Sequence, residues 1–281
     1  MAEYARDVLV EPAWLEERLQ DARIRIIEVD ENPALYAAAH IPGAIGLDWK
    51  DDLQDPLRRD FLGPEEFGEL LSRRGVSNGH TVVLYGDRNN WFAAYTYWYL
   101  KYYGHDDVVL LNGPREKWIS DGRSTTTELP SHPRGAFTAK PGDESIRARR
   151  DEVLVAMRAA TKLVDVRSPA EFSGEVISAA GYEDEGAQRG GHIPGALSIP
   201  WVQAINDDGT FKSAEELRAL YGASGVLDAQ EVITYCRIGE RSAHTWFVLH
   251  ELLGLERVRN YDGSWSEWGS LVGVPIEVGA G

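Results

Sequence analysis

Short apolar, β-branched runs recur along the chain at residues 24–29, 81–85 and 108–111, and again at 163–166, 232–235 and 258–261. Each is followed by a stretch whose apolar positions return at helical spacing. This alternation predicts βα units and parallel sheets, because a parallel crossover needs a helix-length connection. Local punctuation agrees. Pro64 suits the first turn of a helix over 65–73, and Ser213-Ala214-Glu215-Glu216 reads as a capping box ahead of 217–221. The aromatic-rich stretch from Trp91 to Tyr103 has an apolar helical pattern, which predicts core or a domain interface before any cofactor platform.

The pattern is written twice. His40-Ile41-Pro42-Gly43-Ala44-Ile45 recurs as His192-Ile193-Pro194-Gly195-Ala196-Leu197. Further on, Val83-Leu84-Tyr85-Gly86-Asp87 matches Ile233-Thr234-Tyr235-Cys236-Arg237, and Asn112-Gly113 with Trp118 matches Asp262-Gly263 with Trp268, all at one offset of 150 residues. Before the His-Ile-Pro-Gly-Ala segment the offset is shorter, so the second copy carries an insertion over 174–191, rich in Gly, Glu and Asp, which reads as a solvated loop. Residues 123–146 hold Pro130, Pro133 and Pro141 and no sustained apolar period; they predict a semi-extended linker between domains at 1–122 and 147–281.

Composition narrows the function. A 281-residue chain that is 43% hydrophobic, with nine tryptophans, can fill two cores. Its net charge of −16 argues against nucleic acid or anionic membrane as a partner, since phosphate neutralisation needs a basic surface; an anion site must be local. One cysteine allows no intrachain disulfide, the amino terminus lacks a signal-peptide pattern, and no apolar run is long enough to span a bilayer, so a soluble cytoplasmic protein is expected. The seven histidines have no tight ligand spacing, which predicts no metal site. The matched positions of His40 and His192 favour a structural hydrogen bond over catalysis.

That single cysteine, Cys236, ends an apolar strand and precedes Arg237-Ile238-Gly239-Glu240-Arg241 and a helix. A buried core cysteine needs no glycine-bearing turn and no charged neighbours. Loop amides, a helix amino terminus and two cations converging on sulfur are expected to lower the thiol pKa and to hold an anion beside it.

Tandem copies, His-Ile-Pro-Gly-Ala in each, a cysteine loop in the second alone, and Asp262-Gly263-Ser264-Trp265-Ser266-Glu267-Trp268 near the end together resemble the two-domain rhodanese family of thiosulfate sulfurtransferases. The resemblance implies two α/β domains, each a small parallel sheet flanked by helices, with the catalytic cysteine in the second domain at the base of a cleft between them. It implies that Cys236 carries a persulfide, that loop residues 236–241 turn their amides toward sulfur, and that no metal or cofactor takes part. Thiosulfate and a small thiophilic acceptor such as cyanide are the implied substrates. Within the loop, Arg237 and Arg241 are the candidates to bind the dianion and steady departing sulfite. Gly239 lets the loop turn back, while Glu240 either pairs with an arginine or stays solvated. Asp165 and Arg167 are expected to form a bracing ion pair rather than to touch substrate. Asp262, Ser264 and Trp265 are expected to support the loop.

The sequence departs from the animal pattern of the family at Ile238 and Arg241, and at Glu171, where an arginine is expected. Thiosulfate remains the first choice of donor. A 3-mercaptopyruvate sulfurtransferase is the alternative within the architecture, although Arg237 and Glu240 speak against it. Cysteine-loop phosphatases enclose a larger ring of amides than the four residues between Cys236 and Arg241. A persulfide relay module, passing sulfur to a protein acceptor without small-molecule turnover, needs the same thiolate and is the alternative of another class.

Overall fold

The computed structural model describes residues 3–178, 181–182 and 186–279. Of the insertion expected over 174–191, residues 179–180 and 183–185 lie outside the described residues. The chain forms two compact units, one of Asp7–Asp143 with Asp207–Phe211, the other of Glu144–Asn206 and Lys212–Gly281 with the amino-terminal residues to Arg6.

The first unit holds β1 (Leu9–Val10), β2 (Ile24–Glu28), β3 (Ile45–Gly46), β4 (Thr81–Tyr85) and β5 (Val108–Leu111) in one sheet of order β1-β5-β4-β2-β3. The second holds β6 (Lys162–Asp165), β7 (Leu197–Ser198), β8 (Val232–Tyr235) and β9 (Val258–Tyr261) in the order β7-β6-β8-β9. Every pairing is parallel. Central strands of such sheets are covered on both faces, and β8 is accordingly buried at all four positions. Parallel register also brings Asp165, Tyr235 and Tyr261 level, so the carboxyl ends of β6, β8 and β9 open at one edge.

The helices follow their local signals. Pro64 opens the helix Pro64–Arg73. Ser213 caps Ala214–Gly222: its hydroxyl accepts the Glu216 amide, and Glu216 accepts the Ser213 amide at 3.0 Å. The helix Trp91–Tyr102 is buried almost all round, with Tyr97, Trp98 and Tyr99 inaccessible to solvent and Phe61 packed 4.2 Å from the Tyr99 ring. Its aromatics are core.

The proline-bearing segment after residue 122 lies along the first unit. Thr126 bridges His40, the Phe137 amide donates to Ser72 Oγ at 2.9 Å, and Phe137 is buried. Beyond it the chain joins the second unit, where the Asn260 amide donates to the Ile146 carbonyl at 3.0 Å and the Ala148 amide donates to the Asn260 carbonyl at 2.9 Å.

Both His-Ile-Pro-Gly-Ala segments make the same contacts. His40 stacks on Tyr36 and His192 on Phe172, with ring centroids 4.2 and 3.6 Å apart, and each Nδ1 lies 2.9 Å from the carbonyl oxygen of the residue it stacks on. The following amides, of Ile41 and Ile193, donate to the hydroxyls of Tyr85 and Tyr235. Each segment thus ties a strand end to the sheet.

Candidate active site

Cys236 sits immediately past β8, fully buried. Its sulfur accepts the Gly239 amide at 3.2 Å, and its thiol donates to Glu240 Oε2 at 3.2 Å. Glu240 Oε2 also accepts the Ile238 amide at 3.3 Å. Gly239 makes this turn with φ +102°, and a Cβ there would stand 2.7 Å from the Cβ of Asp262. Only glycine meets both demands without strain. The helix Glu240–Trp246 starts at once, with its first turn beside the sulfur.

The loop is held from behind by β9 and the segment after it. Asn260 Nδ2 donates to the Gly239 carbonyl at 3.0 Å, and Ser242 Oγ donates to Asn260 Oδ1 at 2.6 Å. The Cys236 amide donates to Ser264 Oγ at 3.1 Å, while the amides of Trp265 and Ser266 donate to the carbonyls of Cys236 and Arg237 at 3.1 and 3.0 Å. Ser264 achieves this with a left-handed backbone, φ +51°.

The charged residues are paired, and all but the half-buried Asp262 are buried. Arg241 grips Glu171 through two hydrogen bonds of 3.0 Å each. Arg237 lies 3.5 Å from Glu240 Oε1 and places its guanidinium 4.1 Å from the Tyr182 ring centre. Asp165 and Arg167 form a two-pronged pair closed by a 2.6 Å bond; Arg167 also donates to the Gly191 carbonyl and lies over the Trp265 ring at 4.5 Å. Asp262 is bidentate with Arg147, at 3.0 and 2.7 Å, and Trp265 donates its indole N–H to the Arg189 carbonyl.

The site thus brings Cys236, Arg237, Gly239, Glu240 and Arg241 into one cluster and sets Asp165, Arg167, Asp262, Ser264 and Trp265 around it. One expectation changes. Burial, and after it the Glu240 carboxylate, push the Cys236 thiol up, with Arg241 pulling the other way. The expected lowering from amides and cations is outweighed because the sulfur has no access to water and its nearest charge is negative. Glu240, for which an arginine pair and a solvated position were both open, is buried and faces Cys236, Arg237 and Arg241 together. Glu171, read from the sequence only as a carboxylate gained near the site, is the partner of Arg241. Burial pushes Glu171 up, but the Arg241 hydrogen bonds and charge overcome this and hold it at about 2.

Asn260, Ser242, Arg147 and Tyr182 enter the site without having been singled out. A buried asparagine inside the apolar run of β9 is a signal the sequence did carry for Asn260, since an unpaired amide would be costly there.

The matching loop of the first unit is built differently. The Gly86 amide donates to Asn90 Oδ1 at 2.8 Å, and a Cβ on Gly86 would stand 2.0 Å from the Val29 carbonyl oxygen. Arg88, Asn89 and Asn90 are all left-handed, at φ 48°, 57° and 64°. The Asp87 carboxylate is pushed up to about 6 by burial, against the amides of Glu31 and Asn32 that it accepts.

The Rhodanese-like domain family matches residues 11–121 and 150–271. The chain is 55% identical over 277 residues to the sulfur carrier protein TtuD of Thermus thermophilus, covering 97% of each chain. It is 56% identical over 274 residues to a "Putative thiosulfate sulfurtransferase" of Mycolicibacterium smegmatis, covering 98% of this chain and 99% of the relative. Among solved structures, EanB with a cysteine persulfide in a tetrahedral intermediate state with ergothioneine superposes with a TM-score of 0.87 at 25% identity, over 99% of this chain and 72% of that one. Two family matches on two parallel-sheet units, and full-length relatives above half identity, agree: this chain belongs to the rhodanese family and carries its domain in tandem.

Proposed function

We propose that the protein is a thiosulfate sulfurtransferase in which Cys236 carries the transferred sulfur. The observation that carries this reading is the position of the Cys236 sulfur between the Gly239 amide and the Glu240 carboxylate. The thiol gives its proton to Glu240. The thiolate then attacks the outer sulfur of thiosulfate, the S–S bond of thiosulfate breaks, and sulfite leaves with the electron pair. Cys236 is left as a persulfide anion, stabilised by loop amides such as that of Gly239. Cyanide, or a thiolate acceptor, attacks the terminal sulfur; with cyanide, thiocyanate forms, the Cys236 thiolate returns and Glu240 gives back the proton.

Arg237 and Arg241 supply the positive field for the dianion and the departing sulfite. Arg241 Nε is buried 3.7 Å from Glu240 Oε1, too far for a hydrogen bond, so an incoming oxyanion can take that N–H once Glu240 has accepted the thiol proton. Asp165, Arg167, Asp262, Ser264 and Trp265 hold the loop and leave the chemistry to Cys236. The first unit, with Gly86 in the cysteine position, takes no part in sulfur transfer.

A second reading is transfer to a protein acceptor, favoured by the relative named as a sulfur carrier. Parallel steady-state kinetics with thiosulfate and with 3-mercaptopyruvate, each with cyanide, test the assignment. Saturable turnover with a higher kcat/KM for thiosulfate is expected; preference for 3-mercaptopyruvate would reassign the donor, and a single stoichiometric discharge without turnover would favour the relay.

A further inference from the structure

The two copies differ behind the cysteine loop as well as in it. Leu84 is in register with Leu110 in the first sheet, and Thr234 with Asn260 in the second, at the same offset of 150 residues that relates Gly86 to Cys236. At that offset Phe92 answers to Ser242. All six side chains are inaccessible to solvent. The first copy is thus apolar at three buried places where the second is polar. Buried polar groups cost free energy that apolar side chains would not, so a network kept only behind the cysteine points to a role other than stability.

One arrangement satisfies the network. The Gly239 carbonyl can only accept, so Asn260 turns its Nδ2 toward it, at 3.0 Å, and its Oδ1 takes the Ser242 hydroxyl at 2.6 Å. Thr234 Oγ1 donates to the Ser242 carbonyl at 3.1 Å. The Asn260 backbone is itself tied to Ile146 and Ala148. Gly239 is therefore gripped at its carbonyl by a fixed strand while its amide reaches the Cys236 sulfur at 3.2 Å. Ser242 bears on sulfur too: burial and the Glu240 carboxylate push the thiol up, and Arg241 with the hydroxyl and amide of Ser242 draws it down.

We infer that Asn260 is a positioning residue for the chemistry at Cys236: by holding the Gly239 carbonyl and the Ser242 hydroxyl together, it keeps the Gly239 amide aimed at sulfur as negative charge develops there. Glycine has more backbone conformations open to it than any other residue, so a donor placed on it stays aimed only if the peptide that follows is fixed. Donors fixed beforehand need no reorganisation when the charge appears. The inference rests on Cys236 being the reacting atom of the proposed function, and not on thiosulfate being its donor.

Asn260→Leu installs the residue of the first copy. Ser242 Oγ then keeps the Gly239 carbonyl as an acceptor, at 3.1 Å, and that carbonyl keeps the Ala243 amide at 2.9 Å, so no polar group loses every partner and the variant should fold. Asn260→Ala removes the same two bonds without adding a branched chain. Cys236 is the sole cysteine, so alkylation by neutral iodoacetamide reports the site directly. Both variants should slow it roughly tenfold at neutral pH, the size of one weakened hydrogen bond to a charged group, and lower kcat with thiosulfate by a similar factor while KM changes little. The sign separates the roles. A residue serving structure alone would, when removed, loosen the loop, expose the buried thiol and speed alkylation. Thr234→Val frees the Ser242 carbonyl but leaves Gly239 held, and should lower stability in thermal unfolding while keeping the alkylation rate near wild type. Unchanged or faster alkylation in the Asn260 variants, or equal slowing in Thr234→Val, would overturn the inference. Slowed alkylation in the Asn260 variants of a protein that does not turn over thiosulfate would support it and overturn the donor assignment instead.

Discussion

A thiol that faces a carboxylate at 3.2 Å can lose its proton without involving solvent. Moving the proton from Cys236 to Glu240 leaves the number of bound protons unchanged, so persulfide formation in the wild-type protein should be nearly flat from about pH 6 to about pH 8. Glu240→Gln removes the acceptor. Its rate should climb about tenfold per pH unit until the thiol itself ionises, since the proton must then go to water. Stopped-flow measurement of sulfite release across pH checks this; a steep wild-type profile would mean that Glu240 is not the acceptor. The other buried carboxylate makes a stability prediction. Glu171 is held at about 2 in the folded protein, against 4.5 ordinarily, so its contribution is fully present above the unfolded value and is lost as pH falls through about 2. Glu171→Gln should therefore cost on the order of 3 kcal/mol in chemical denaturation at pH 7 and distinctly less at pH 3. Equal losses at both would show that the charge of Glu171 is not what stabilises the pair. Because Arg241 is tied to Glu171, Arg237→Ala is the cleaner test of anion recognition. It should raise KM for thiosulfate while sparing cyanide discharge of a preformed persulfide.

The turn from β8 into the helix Glu240–Trp246 concentrates these effects, because its conformation depends on one glycine facing Asp262. Gly239→Ala should destabilise the protein by about 1–3 kcal/mol, through a left-handed backbone and a Cβ driven against Asp262. It should also slow persulfide formation more than a stability loss explains, since the Gly239 amide would move off the sulfur. Thermal unfolding and single-turnover rates separate the two, and a variant with wild-type values in both would mean that the turn does not need glycine. The same turn shows what the sequence reveals. Six strands were legible as apolar runs, but β1, β3 and β7 have two residues each, too few to show any period. The cysteine, the glycine and both arginines stand together in the chain and could be read as a loop. Glu171, by contrast, lies far from Arg241 in sequence, and nothing local tells that a carboxylate at 240 or 171 will be buried. The direction of the thiol shift differs from the sequence expectation for that reason: amides and cations are visible in a sequence, whereas desolvation belongs to the folded state.

Two copies of one plan have diverged in chemistry while keeping their scaffold. The shared tyrosine contacts at Ile41 and Ile193 and the stacked histidines survive in both, but Gly86 has no room for a side chain where Cys236 stands in the second. Gly86→Cys in a Cys236→Ser background should not restore sulfur transfer, because the new Cβ meets the Val29 carbonyl and the neighbouring carboxylate of Asp87 opposes a thiolate; substantial turnover, with the fold confirmed by circular dichroism, would contradict this. The chain as a whole carries a net charge of −16. It should repel a dianionic donor at long range, so kcat/KM for thiosulfate should rise severalfold as salt is added from low ionic strength and then level as screening completes. A steady fall would mean that the local arginines dominate the approach. Whether Cys236 carries the transferred sulfur is decided by intact mass spectrometry after incubation with thiosulfate. One added sulfur atom, removed by cyanide and absent from Cys236→Ser, is the predicted result; no cyanide-labile addition on the wild-type chain, or the same addition on the serine variant, would contradict it.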